Sequence, residues 1–228
     1  MDALDRLEPV VRPVLHRVDE ALTTLGAPPE HPIWDHLRRV GATPGDAVLF
    51  FVELRPVRLR AAAQRLREQA MGYEAAAVPV NPPWQGGAGE AFAAHATGLG
   101  AHLRGDEGLA GALRASASYV DAVADWGQRS RDRMARALAE VMASAQAVTV
   151  RAQTALAHVV RPDATADLLG AVVAAADIGA ALLVVAEEAV SDGRDVHRAW
   201  ASTAIEFDYR APVLGEPLSS EGVIRLQH

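Results

Sequence analysis

The sequence contains no cysteine and no lysine, and few aromatic residues. Without cysteine there can be no disulfide and no thiolate metal centre. Without lysine, all 22 basic side chains are arginines, set against 29 acids for a net charge of −7. That balance provides no basic surface to neutralise a phosphate backbone, so no nucleic-acid partner is expected. Aromatics make up 5% of residues although half the chain is hydrophobic, with alanine abundant. A sheet protein would draw more on β-branched and aromatic side chains, so the composition predicts closely packed helices and an all-α fold. The N-terminal MDALDRLEPVVRPVLHRV is acidic at its start and has no apolar run ending in a small-residue cleavage site. A Sec-type signal peptide is therefore not expected.

Catalytic signatures are missing too. There is no G-x-S-x-G, H-E-x-x-H, Walker or complete G-x-G-x-x-G pattern, and Gly98-Leu99-Gly100 falls inside a helical run with no strand before it. No catalytic residue and no cofactor are assigned. His31, Asp35 and His36 are close enough in sequence to share a metal, and His95 and His102 lie two turns apart on one helix. Surface histidines are the commoner explanation of such spacings, and no metal site is expected. Glu187-Glu188 and the acids between Asp192 and Asp195 read as solvated charges near a helix end.

What the chain does contain is helical periodicity. Leu4, Leu7, Val11, Val14, Val18, Ala21 and Leu25 keep a three–four spacing, predicting an amphipathic helix that starts at Pro9 or Pro13. A short helix over Trp34 to Val40 follows, and Thr43 or Asp46 is placed to cap the next. The pattern recurs from Leu49 to Tyr73, with Pro56 expected to kink that element or begin a fresh one. From Phe92 an apolar seam runs to Val120 and Ala124, is interrupted at Gly127 and Arg131, and resumes through Met134, Leu138, Val141, Ala145, Val148 and Ala152. Held that long, it predicts coiled-coil-like helices, with glycines 98, 100, 105, 108 and 111 marking a bend or break. A last helix begins at Pro162-Asp163 and carries Leu169, Val172, Ala176, Gly179, Leu183, Ala186 and Val190. Its stretch from Leu168 to Ala186 holds a single charge, Asp177. A central Asp costs about 2.5–3.5 kcal/mol in a bilayer, so burial in a bundle or interface is the expected fate and membrane insertion the lesser alternative.

Between two of these helices stands NPPWQGGAGEAF, residues 81–92. Pro82 and Pro83 stop the helix before it, and Gly86, Gly87 and Gly89 permit a tight reversal, so the segment predicts an antiparallel helical hairpin with Trp84 at its tip. The ring either plugs the tip against Phe92 or is a recognition element. Trp84-x-Gly86 followed by an aromatic at Phe92 resembles the WxG family of type VII (ESX) secretion proteins. The lead-in PGDAVLFFVELRPVRLRAAAQRLREQA is similar to that of longer actinobacterial members. The resemblance spans about Thr43 to Gly127.

It implies an elongated helical hairpin over 43–160, an N-terminal helical extension over 1–42, a C-terminal long helix over 161–208 packing on the bundle, and an irregular tail over 209–228. It further implies a non-enzymatic protein that works by helix–helix association, either with itself as a homo-oligomer or with another WxG-type helical protein, and that engages the secretion ATPase. Trp84, Gly86 and Phe92 would form the recognition site, and secretion would use a signal-peptide-independent route. The family's Tyr-x-x-x-Asp/Glu export signal has no counterpart, because Tyr119 is followed four residues on by Val123 and Tyr209 by Val213. This favours a second reading, a cytosolic adaptor or chaperone of the secretion system. A helical enzyme with an unmarked site is the third.

Overall fold

A computed structural model of the chain describes residues 2–76, 86–156 and 164–201. Eight helices and no strands occur among the described residues, as the composition predicts: α1 (Ala3–Thr24), α2 (Ile33–Val40), α3 (Pro44–Glu53), α4 (Pro56–Ala75), α5 (Gly87–Leu103), α6 (Leu109–Ala143), α7 (Ala145–Leu156) and α8 (Ala164–Ala201). The described residues divide into two compact units, the first from residues 2–64 and 117–201 and the second from residues 65–116.

The first unit is built around α8, which packs against α1, α2, α3 and α7. Its core joins Leu4, Val11, Val14 and Val18 of α1 with Val48 and Phe51 of α3, Met134 and Leu138 of α6, and Ile178, Leu182 and Leu183 of α8. Alanines fill the closest approaches, with Ala175, Ala176 and Ala189 fully buried along α8. Gly179 lies where α8 crosses the α2–α3 corner, and a Cβ there would stand 2.7 Å from Ile33 Cδ1 and 3.0 Å from Pro44 Cγ.

Helix ends follow local chemistry. Helix α1 begins at Ala3, ahead of either proline, and carries Pro9 and Pro13 inside it. The expected start was too late because the N-terminus holds a reciprocal capping box: Asp5 N–H donates to the Asp2 carboxylate and Asp2 N–H to that of Asp5. Those caps and the burial of Leu4 outweigh the hydrogen bonds that the prolines forfeit. Thr43 caps α3 by accepting from Asp46 N–H. Leu54 is extended between α3 and α4, so a fresh helix does begin at Pro56.

The long seam is cut twice. Helix α5 ends before Arg104, the chain turns through Gly105 at φ +79°, and α6 begins at Leu109. A second break falls at Ser144, whose hydroxyl accepts from Ala147 N–H and caps α7. That break shifts the phase: Ala147 and Val150 are buried, whereas Val148, expected on the seam, is 62% exposed. Gly127 and Arg131 do not interrupt the core face, since both are buried on it.

In the second unit, α5 has Gly89, Ala96 and Gly100 buried on one face. The exposed Glu74 carboxylate, in the last turn of α4, accepts from Arg114 at 2.8 Å and from Gly105 N–H at 3.1 Å. Arg114 also donates to Asp106 at 2.9 Å. A tight hairpin would set the start of α5 beside the end of α4. The contacts instead tie the end of α4 to the far end of α5, a helix on the order of 25 Å long at 1.5 Å per residue. These contacts do not show the antiparallel hairpin turn drawn from residues 81–92, of which 81–85 lie outside the described residues.

Candidate functional site

Of the three residues assigned to recognition, Gly86 and Phe92 are described and Trp84 lies outside the described residues. Gly86 is the N-cap of α5, at φ +86°, and its carbonyl accepts the first helical bond from Glu90 N–H. A side chain at that φ is strained even though no neighbour lies within 4 Å of the added Cβ. Phe92 follows in the second turn of α5, half-buried on the face that carries Gly89 and Ala96.

The candidate metal ligands are drawn apart. His31 Nε2 meets Asp177 Oδ1 at 3.1 Å, and His36 Nδ1 meets Glu187 Oε1 at 2.8 Å. Asp35 pairs with Arg38 instead. His95 and His102 both sit on α5, and no group of three or more His, Asp or Glu side chains among the described residues is arranged to hold a metal. The acids of α8 are more than solvated ends. Glu187 also faces Arg39 at 3.4 Å, and Asp192 accepts from Arg133 at 2.6 Å, so they tie α8 to α2 and α6.

Two polar features of the first unit were not singled out by sequence. The first is Arg131, 2% exposed. One of its terminal nitrogens donates to the carbonyls of Phe51, Val52 and Leu54 at 2.5–3.0 Å. Its Nε and other terminal nitrogen grip Asp2 at 2.7 and 2.8 Å, and the latter also donates to Asp5 at 2.7 Å. The guanidinium thus satisfies carbonyls left open at the C-terminus of α3 and pairs with the acids that cap α1. Arg131 holds the Asp2 carboxyl down to about 2. For Asp5, burial works against ionisation, but the bonds from Arg131 and from Asp2 N–H prevail and its pKa is lowered. The signal in the sequence was an arginine placed on an apolar stripe.

The second feature is a half-open groove between α1 and α3, with a volume of about 210 Å³. Leu15, Val48, Leu49 and Val52 line it, and Glu8, Arg12, His16, Asp19 and Asp46 edge it. Asp19 accepts from Thr43 Oγ1 at 3.0 Å and from Gly45 N–H at 3.1 Å. Burial pushes its carboxyl above the usual range, and those two bonds only partly offset the effect. A Cβ at position 45 would lie 2.2 Å from Asp19 Oδ2, so any side chain there displaces the Asp19 carboxylate.

Set beside known proteins, the chain matches no protein-family model, no curated protein and no solved structure.

Proposed function

We propose that the chain is a non-enzymatic, type VII secretion-associated protein of the WxG kind that acts by docking helix against helix, as a secreted substrate or structural effector. One observation carries the reading. The Trp84-x-Gly86 segment falls between two helices in sequence, with Gly86 at a positive φ of 86° as the residue before α5 and Phe92 half-buried in its second turn. Gly86, Gly87 and Gly89 follow Trp84 in sequence and bring no side chain to cover a ring.

A second reading, an adaptor that stays in the cytosol, is favoured by Tyr119. Its ring packs at 6.0 Å from Trp200 and so is engaged internally, and no acid follows it at the fourth position.

The test is the Trp84→Ala chain expressed in its native host, with pull-down and culture-filtrate detection alongside a thermal melt. The expected result is loss of a helical partner of the WxG type, with the melt nearly unchanged. A Trp84→Ala chain that keeps every partner and the same distribution between cells and filtrate would remove the reading. Recovery of the wild-type chain with its partner from cells alone selects the adaptor.

A further inference from the structure

We propose that the groove between α1 and α3 seats an arginine or lysine carried on the apolar face of a partner protein's helix. The proposal goes beyond the Trp84 reading and stands on the first unit alone.

The groove's walls define the guest. Leu15, Val48 and Val52 are buried beneath it, while Leu49 is 37% exposed at its edge and Phe50, next in the chain, is 53% exposed. Such a floor suits a methylene stem or an apolar helical ridge. Three carboxylates edge the groove, Glu8, Asp19 and Asp46, against one guanidinium, Arg12, which pairs with Glu8. Asp46 is in no side-chain ion pair among the described residues, and it is exposed at the groove mouth beside Asp19.

A long cationic side chain matches both surfaces, because its stem lies along apolar groups while its charged head reaches polar ones. An incoming cation would also favour the charged form of Asp19, which burial disfavours. The volume of about 210 Å³ suits one side chain and falls short of the roughly 300–1,000 Å³ of a cofactor pocket.

The groove runs between two helices, so a third helix laid into it is the natural carrier of that side chain. A second copy of this chain is a poor match, since it brings a net charge of −7 to an acid-edged groove.

The experiment titrates the full-length, isotope-labelled chain with a synthetic alanine–leucine helix of about 16 residues bearing one arginine on its apolar face. The same helix with glutamate in that place, and agmatine alone, are the comparisons. The arginine helix should shift the amides of Leu15 to Asp19 and of Gly45 to Leu49, and the glutamate helix should bind at least about tenfold more weakly. Asp46→Asn, a surface change, should weaken the arginine helix by about threefold, and Trp84→Ala should leave it unchanged. Equal binding of the arginine and glutamate helices overturns the proposal, as do shifts elsewhere or no shifts at millimolar peptide. Agmatine binding as tightly as the helix removes the helical carrier. Self-association abolished by Leu49→Ser assigns the groove to a second copy and also overturns it.

Discussion

Replacing Arg131 with methionine keeps much of its volume and removes its charge, which isolates the work of the guanidinium. The carbonyls of Phe51 and Leu54 then lose the Arg131 donor and Asp2 loses its cation. The Val52 carbonyl keeps Arg55, which also stays 3.6 Å from Asp5. Removing one partner of a buried ion pair costs about 3–5 kcal/mol. Here the two carboxylate side chains are 29% and 26% exposed, so water can take the place of Arg131 on their side. On the carbonyl side Arg55 relieves Val52 but not Phe51 or Leu54, and the expected loss is therefore about 3 kcal/mol, at the lower end of that range. A domain with a stability of about 5–15 kcal/mol would feel that as a large fall in its urea midpoint. Arg131→Lys should recover only part of it, because a single ammonium cannot span the α3 carbonyls and both acids as the planar fork does. A double-mutant cycle of Arg131→Met with Asp2→Asn should return a coupling of about 1–2 kcal/mol. If Arg131→Met unfolds within about 0.5 kcal/mol of the wild type, the node is inert and the argument fails.

The same cluster makes stability depend on acid. Asp2 has a folded-state pKa of about 2 against 3.8 for the free group, so its contribution is complete above about pH 4 and is lost as the pH falls towards 2. The loss should be on the order of 1–2 kcal/mol once the carboxylate's partial exposure is allowed for, and urea midpoints should show it disappear in Asp2→Asn. Asp19 has the opposite sign. Its raised pKa means that ionisation opposes folding, so stability should fall as the pH rises through the folded-state pKa. Asp19→Asn, whose one carbonyl oxygen can accept from Gly45 N–H while its NH2 faces the Thr43 hydroxyl, should abolish that pH dependence in urea midpoints. Two glycines of α8 should separate crowding from propensity. Gly170→Ala, with open space at its Cβ, should stabilise by about 1 kcal/mol, whereas Gly179→Ala should lose that gain or more to overpacking against Ile33 and Pro44. Thermal melts of the pair decide it, and equal melting temperatures would contradict the close α8 crossing.

Much of the fold could be read from the sequence, and what could not be read has physical causes. The three–four spacing of Val11, Val14 and Val18 reports a buried face because one uninterrupted helix keeps its phase. It fails beyond Ser144, where a break resets the phase and puts Ala147 in place of Val148 on the buried side. Pro9 and Pro13 misplaced the start of α1 because a sequence displays the proline penalty plainly and hides the caps and the distant arginine that outweigh it. At the candidate site, the positive φ of Gly86 follows from its sequence setting. The tie between Glu74 and Gly105, 31 residues apart, does not, since it depends on how the end of α4 meets the turn after α5. The α1–α3 groove was invisible for a similar reason, since its floor and edge come from two segments whose packing only tertiary structure creates.

Helix α8 shows how one stretch can satisfy two descriptions. By length and apolarity, Leu168–Ala201 could cross a membrane, with a mean hydropathy of 2.4 in its most apolar window. Half of that window is already buried within the chain, and the charges on the helix are engaged by its neighbours: Asp177 meets His31, Glu187 meets His36 and Arg39, and Asp192 meets Arg133. Moving α8 into lipid would have to break all of these pairs, uncover Leu182, Leu183 and Ala186, and place Asp177 near the centre of the span. The small residues that make the segment look weak as a membrane anchor are the ones its packing needs. Gly179 admits Ile33 and Pro44, and Ala175, Ala176 and Ala189 let other side chains reach the helix closely. The apolar stretch is therefore best understood as the central helix of the first unit, its composition set by how closely its neighbours must approach.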